Sequence, residues 1–189
     1  MLGRPDDAIL VERYLREDDE SALRELFERH MGPIHAFLAR FTGSPQDADD
    51  LAQETFMRAW RHLRSFDPGR GFRTWLYGIA RHAAIDFLRK RRNVPFSAFE
   101  DDEGGNALAE NIEDDADLPD AILERKDAAE ALSGAIALLS VSYREVIVLR
   151  HGSELSFQEM AEALGEPLNT VKSRYRRAFF ALKKLLTGG

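Results

Sequence analysis

Between Asn93 and Glu124 the chain carries 11 Asp or Glu and not one Lys or Arg. The stretch opens NVPFSAFEDDEGGNALAENIEDDADLP, with a Gly-Gly pair and a Pro near each end. Its apolar content is too low to offset the entropy of ordering it. Residues 93–119 therefore read as an acidic flexible linker, with Phe96, Phe99, Leu108 and Ile112 as apolar exceptions able to dock elsewhere. The linker divides the chain into residues 1–92 and 120–189, each the size of a small domain. Charge follows the same division. Met1 to Arg92 holds 16 Lys or Arg against 15 Asp or Glu, and Arg125 to Gly189 holds 10 against 7, so both flanks are slightly basic within a chain of net charge −7. Charge held in blocks says more than its total.

Both flanks carry the three-and-four spacing of helices. Asp6 to Arg16 reads as a short helix. From Glu20, the residues Leu23, Leu26, Phe27, His30, Ile34, Phe37, Leu38 and Phe41 keep one apolar face, and Gly32-Pro33 predicts a kink or break within it. Ser44-Pro45 opens the next helix, to about Leu63, with Ser as N-cap and Pro at the first helical position. A turn rich in breakers, Ser65 to Gly71, leads to a helix over Phe72–Arg92. After the linker, helical patterning resumes over Asp120–Leu139 and Ser142–His151. Ser156-Phe157-Gln158-Glu159 has the form of a capping box, Gly165 supplies a left-handed stop, and Asn169 is placed to cap the last helix. In that helix Val171, Tyr175, Ala178, Leu182 and Leu185 form the buried stripe. The fold class is all-α: two small helical domains joined by the acidic linker.

Several functions are excluded. There is no Cys, so disulfides, thiolate metal sites and Cys catalysis do not arise. The five His are scattered, without a pair at ligand spacing, and no metal or other cofactor is expected. No nucleophile, base and orienting group meet in any motif, so no catalytic residue is assigned and the chain is not read as an enzyme. No apolar run spans a bilayer, and the N-terminus is too acidic for a signal peptide, which predicts a cytoplasmic protein without membrane insertion.

Three groups of residues remain unexplained by packing alone. The stretch FRTWLYGIARHAAIDFLRKRR adds the rings of Trp75, Tyr77 and His82 and the guanidinium groups of Arg73 and Arg81 to an apolar face, and ends in four cations. Rings that stack bases and cations that hold phosphates are what a single nucleic-acid strand requires; the plainer reading is a core helix with a solvated basic end. Asp50, Gln53 and Glu54 share a helix face, either a solvated acidic surface or a dock for a basic partner. Ser156 to Leu182 has the caps, turn and basic exposed face of a helix-turn-helix, whose second helix enters the major groove of DNA.

DLAQETFMRAWRHLRSF (Asp50 to Phe66), followed by the Phe72–Arg92 stretch, resembles region two of bacterial RNA polymerase sigma factors. YREVIVLRHGSELSFQEMAEALGEPLNTVKSRYRRA (Tyr143 to Ala178) resembles their region four. With only a linker between, the chain is similar to the small two-domain, extracytoplasmic-function (ECF) group. The resemblance implies domains at 1–92 and 120–189, joined by a linker over 93–119. It implies that Asp50, Gln53 and Glu54 face core RNA polymerase, and that Phe72, Arg73, Trp75, Tyr77, Arg81 and His82 handle the melted minus-ten strand. It implies that Asn169, Thr170, Lys172, Ser173, Arg174, Arg176 and Arg177 meet the minus-thirty-five duplex. The partners it implies are core polymerase, promoter DNA and an anti-sigma protein. The sequence departs from the family at His82, often Asn; at Asn169, commonly Gly; and at Phe179-Phe180, usually basic, a pair that either packs inward or forms an apolar patch for an anti-sigma protein. A decoy that sequesters an anti-sigma protein without touching DNA is the alternative, and its mark would be loss of the basic residues this chain keeps. A free-standing repressor leaves Asp50 to Arg92 unexplained.

Overall fold

The computed structural model describes residues 6–92 and 126–187, and every regular element in them is helical. The acidic segment 93–119 and the first residues of the helix expected from Asp120 lie outside the described residues. The order is α1 (Asp7–Glu17), α2 (Glu20–Thr42), α3 (Pro45–His62), two short 3-10 turns, α4 (Phe72–Arg92), α5 (Lys126–Leu138), α6 (Val141–Ile147) with a π turn over Val148–Gly152, α7 (Phe157–Leu164) and α8 (Leu168–Thr187).

In the first unit, α2, α3 and α4 enclose Phe37, Phe41, Phe56, Leu76 and Tyr77. Asp19 caps α2 by accepting from the N–H groups of Ser21 and Ala22. Its hydrogen bonds from Ser21 and Arg13 bring its carboxyl down to about 2. Ser44 accepts from Asp47 N–H with Pro45 following, as the sequence predicts for α3. Of the kink or break expected at Gly32-Pro33, the break does not occur: α2 runs through Pro33 without interruption. An interior Pro costs about 3 kcal/mol. Burial of Ile34, Phe37, Leu38 and Phe41 just beyond it outweighs that, at about 1.5–3 kcal/mol per large apolar side chain.

The 11-residue α1 is too short to be stable alone. It is attached by fully buried Leu10 and nearly buried Val11, and by one carboxylate. Asp7 accepts from Arg29 Nη1 at 2.6 Å and lies 2.7 Å from His30 Nε2. Burial disfavours the Asp7 carboxylate, but the hydrogen bond and charge of His30, with those of Arg29, outweigh burial and hold the carboxyl below 3.8. A carboxyl lowered in the folded state adds stability that is fully present above its unfolded pKa and lost as pH falls through the folded value. Asp7→Asn is therefore expected to remove stability at neutral pH and to flatten the acid limb of urea unfolding below about pH 5. Equal limbs in the two proteins would leave α1 attached by apolar contacts alone.

The second unit is held at its centre by Arg144 on α6, which is buried. Its guanidinium donates to the carbonyls of Ile136 (3.1 Å), Ala137 (2.5 Å) and Leu139 (3.2 Å) at the end of α5. The last carbonyls of a helix have no intrahelical partners, and a cation suits them. The same guanidinium donates to Phe41 O at 3.0 Å, at the end of α2, and so ties the two units together. The capping box forms at Ser156 and Glu159, and Gly165 adopts φ 67°, closing α7. Asn169 is not the cap of α8: the helix starts at Leu168, and the Pro167 carbonyl receives the first N–H groups, from Thr170 and Val171. Val171, Tyr175, Ala178 and Leu182 are buried as expected, whereas Leu185 is 40% exposed and Leu186, one position on, packs against the core in its place. The units pack through α4 against α7 and α2 against the π turn.

Candidate functional site

Along α3, Asp50, Gln53, Glu54, Met57 and Arg61 recur at helical spacing and all are exposed. Trp60 stands beside them, 54% exposed, with its indole N–H donating to Tyr14 O–H at 2.9 Å. Glu54 accepts from Arg58 at 2.5 Å, one turn on, so it also serves its own helix. Sequence reasoning found the acidic end of this stripe and missed Met57 and Trp60. The signal was present, since Met57 lies seven residues after Asp50 and Trp60 three further. The result is an exposed face around a shallow depression lined by Asp50, Gln53, Glu54, Met57, Arg58 and Arg61, with acids at one end and exposed apolar groups beside them. Exposed apolar groups rimmed by charge mark protein–protein contact surfaces.

Helix α4 divides the predicted strand-binding residues between two faces. Tyr77 is 1% exposed and Phe72 3% exposed, so neither presents a ring for stacking. The Tyr77 ring meets Phe37 edge-on, centroids 5.4 Å apart. Its helix neighbours Ala80, Ala84 and Leu88 are all buried, and it follows their face inward. Phe72 turns into a cluster with Phe66 and Trp75, centroids 5.7 and 5.6 Å away, and with His30 at 5.4 Å. Trp75, Ile79 and His82 form the outward face. With Arg70, Thr74 and Gly78 they line one side of a cleft of about 410 Å3, whose other side is Glu162 to Gly165 of the second unit. Trp75 is backed by Phe66 at 5.1 Å, which fixes its ring at the cleft wall.

Two arginines of α4 are engaged across the unit boundary. Arg73 donates to Ser153 O, and Arg81 to the Glu145 carboxylate. Glu145 is 3% exposed. Burial pushes its carboxyl up, against the charges of Arg81 and Arg174.

On α8, Asn169 and Thr170 are exposed, and Lys172, Ser173, Arg176 and Arg177 are partly so. Lys172 Nζ sits 5.8 Å over the Phe157 ring. Arg174 differs from them. It is 8% exposed, reaches Glu166 at 2.7 Å and stands 3.8 Å from Glu145. It shares the inward face with Val171, Tyr175 and Ala178, so it is not presented to a duplex in this conformation. Phe179 is half-buried against Tyr175, centroids 6.2 Å apart, while Phe180 is 41% exposed. Among the described residues no group of three acidic or His side chains is placed to hold a metal ion. No described helix is long and apolar enough to cross a membrane.

Two family models match the chain: sigma-70 region 2 over residues 26–94 and sigma-70 region 4 over residues 129–182. The ECF RNA polymerase sigma factor SigW of Bacillus subtilis is 33% identical over 92% of this chain and 94% of its own length. The solved structure of CnrH from Cupriavidus metallidurans, in complex with the cytosolic domain of CnrY, superposes with a TM-score of 0.69. It is 31% identical and covers 96% of this chain and 97% of CnrH. The sigma factor RpoE of Bartonella quintana, in complex with the anti-sigma factor NepR, gives a TM-score of 0.63 at 26% identity, covering 87% and 96% of the two chains.

Proposed function

The chain belongs to the sigma-70 family, in the extracytoplasmic-function group of RNA polymerase sigma factors, and from that premise we propose that it docks on core polymerase through α3 and reads two promoter elements through α4 and α8. Sigma factors are specificity subunits of transcription initiation and not enzymes. The observation that carries the reading is the pairing, in one chain, of the exposed α3 stripe with a capped helix-turn-helix whose second helix is basic. Residues 1–92 and 120–189 are then its two working domains, and 93–119 the tether between them.

In this reading Asp50, Gln53 and Glu54 orient the polymerase contact and Met57 and Trp60 add apolar area. Trp75 and His82 supply the rings for unpaired minus-ten bases, each stacked base worth about 1–3 kcal/mol. That offsets the few kcal/mol lost when a base leaves the duplex. Phe72 and Tyr77 hold α4 from behind, and Arg73 and Arg81 reach phosphates once Ser153 and Glu145 of the second unit withdraw. Asn169, Thr170, Lys172, Ser173, Arg176 and Arg177 approach the minus-thirty-five duplex. An anti-sigma protein is the further partner, as for the Bartonella relative.

Run-off transcription with purified bacterial core polymerase and genomic promoter fragments tests the whole reading: promoter-dependent transcripts are expected, and their absence with every fragment would overturn it. Lys172→Ala with Arg176→Ala tests the duplex contact. The double variant is expected to lower promoter occupancy and to make its salt dependence shallower, by about 0.9 in log–log slope for each phosphate no longer neutralised. Normal occupancy with an unchanged slope would favour the decoy.

A further inference from the structure

Trp60 sits at the edge of the α3 stripe, seven residues after Gln53 and three after Met57, where helical spacing keeps it on the same side of the helix. Its indole N–H donates to the hydroxyl of Tyr14, on α1, at 2.9 Å. We propose that Tyr14 is a positioning residue for polymerase docking: its hydroxyl holds the Trp60 ring in the orientation that the partner meets, and α1 is thereby a working part of the docking surface. The inference rests on the reading of α3 as the polymerase dock and adds to it a residue from outside α3.

The bond is not needed for the fold. Trp60 is 54% exposed, so water is at hand for its N–H when Tyr14 is not. Exchanging water for a hydroxyl at an exposed site adds little to stability. What it adds is order. An indole on an exposed helix face has several rotamers open to it. A partner that requires one of them must freeze out the rest on binding, and a ring already held spares that loss. Trp rings are among the side chains that most often dominate protein–protein contacts, so the orientation of this one carries more weight than that of its neighbours.

Tyr14 can hold the ring because it is held itself. Its body is partly buried against the core of the first unit. Leu10 and Val11 are buried beside it on α1, and Asp7 binds Arg29 and His30 of α2. Arg13, one position before Tyr14, donates to Asp19 from Nε at 3.1 Å and from Nη2 at 2.5 Å. Asp19 is also the cap of α2, so the end of α1 and the start of α2 share one carboxylate. Helix α1 packs on α2 and α4, and from that frame the Tyr14 hydroxyl reaches to α3.

The chain contains two Trp, so the indole region of a proton–nitrogen correlation spectrum of the full-length protein holds two cross-peaks, and Trp60→Phe identifies the Trp60 peak by its loss. Tyr14→Phe keeps the packed ring and removes only the hydroxyl. In it the Trp60 indole peak is expected to move and its hydrogen exchange with water to quicken, with the unfolding midpoint close to the parent's. Affinity for immobilised bacterial core polymerase, read by biolayer interferometry, is expected to fall about 3- to 10-fold. In the Trp60→Phe background the same change is expected to lose nothing further, because residues in contact are not additive. Parent affinity in Tyr14→Phe overturns the positioning role. So does an equal loss with Trp60 already replaced, which would make the hydroxyl a polymerase contact in its own right. Trp60→Ala tests the dock separately and is expected to lose at least about tenfold. If Trp60→Ala binds like the parent, the dock reading at this end of α3 fails and the inference falls with it. A loss in Trp60→Ala with none in Tyr14→Phe removes the positioning role alone.

Discussion

Replacing Tyr77 with Ala is expected to cost region two about 3–5 kcal/mol, the usual range for truncating a buried aromatic ring to Ala. The side chain is 1% exposed and its ring meets Phe37 edge-on, so truncation leaves a cavity lined by rigid neighbours. A small domain stores only about 5–15 kcal/mol in all. For a domain near this size each kcal/mol lowers the unfolding midpoint by about 4–8 °C. Thermal unfolding followed by circular dichroism should therefore shift down by on the order of 10–40 °C, while Tyr77→Phe, which keeps the ring, stays close to the parent. The contrast separates two roles. A ring that stacked on a melted base would leave the midpoint unchanged when removed and would impair only strand opening. If Tyr77→Ala melts with the parent, the packing role assigned to this residue is wrong.

The other large effect is expected at α3. Asp50→Lys with Glu54→Lys reverses two exposed charges on the stripe that also carries Met57 and Trp60. The cost to the fold is small. Glu54 loses its pair with Arg58, worth about 0.3–0.5 kcal/mol on an exposed helix. The cost to docking is large, because like charges placed together in an interface cost several kcal/mol. Affinity for core polymerase should fall by at least about 100-fold, which corresponds to about 2.7 kcal/mol or more. Co-purification with core polymerase measures it, with helix content unchanged. Met57→Ala is expected to weaken binding less, since it removes apolar area without adding repulsion. Retention of the doubly reversed chain by core polymerase would move the dock elsewhere.

The helices were legible because their signals are local. Ser44-Pro45, the Ser156–Glu159 box and Gly165 each act within a few residues of where they stand, and each is found in its expected role. Pro33 does not break α2 because its penalty is local while the burial that overrides it comes from the packing of α2 against α3 and α4. Asn169 was displaced as a cap because Pro167 supplies a carbonyl in the right place without any side chain.

At the site, residue type and residue direction parted company. Tyr77 and Trp75 are both aromatic and two positions apart on a helix, which sends them to different faces. The inward face of Tyr77 was readable from the spacing of Ala80, Ala84 and Leu88, whereas its ring chemistry pointed outward. Arg174 turned inward for a reason no local pattern holds. Its counter-charges, Glu145 and Glu166, come from α6 and from the turn before α8, and only the folded chain brings them together. Arg144 and Glu145 are adjacent charges in α6 and both are buried, with partners that come from other helices.

The contact between the two units uses main-chain oxygen beside its apolar packing and the Arg81–Glu145 pair. The carbonyls of Phe41, Gly152 and Ser153 accept from Arg144, Arg40 and Arg73, and that of Ala163 faces Gly78. Every amino acid brings the same carbonyl, so exchange of the side chain at Gly152 or Ser153 leaves the acceptor in place. Genetic drift therefore meets an asymmetric target. Codons for Arg40, Arg73, Arg81, Arg144, Glu145 and Gly78 carry the contact in their side chains, or in the lack of one, and substitutions there remove it. The acceptor half of the interface is inherited with the backbone and persists through divergence that would erase a pairing made of side chains alone.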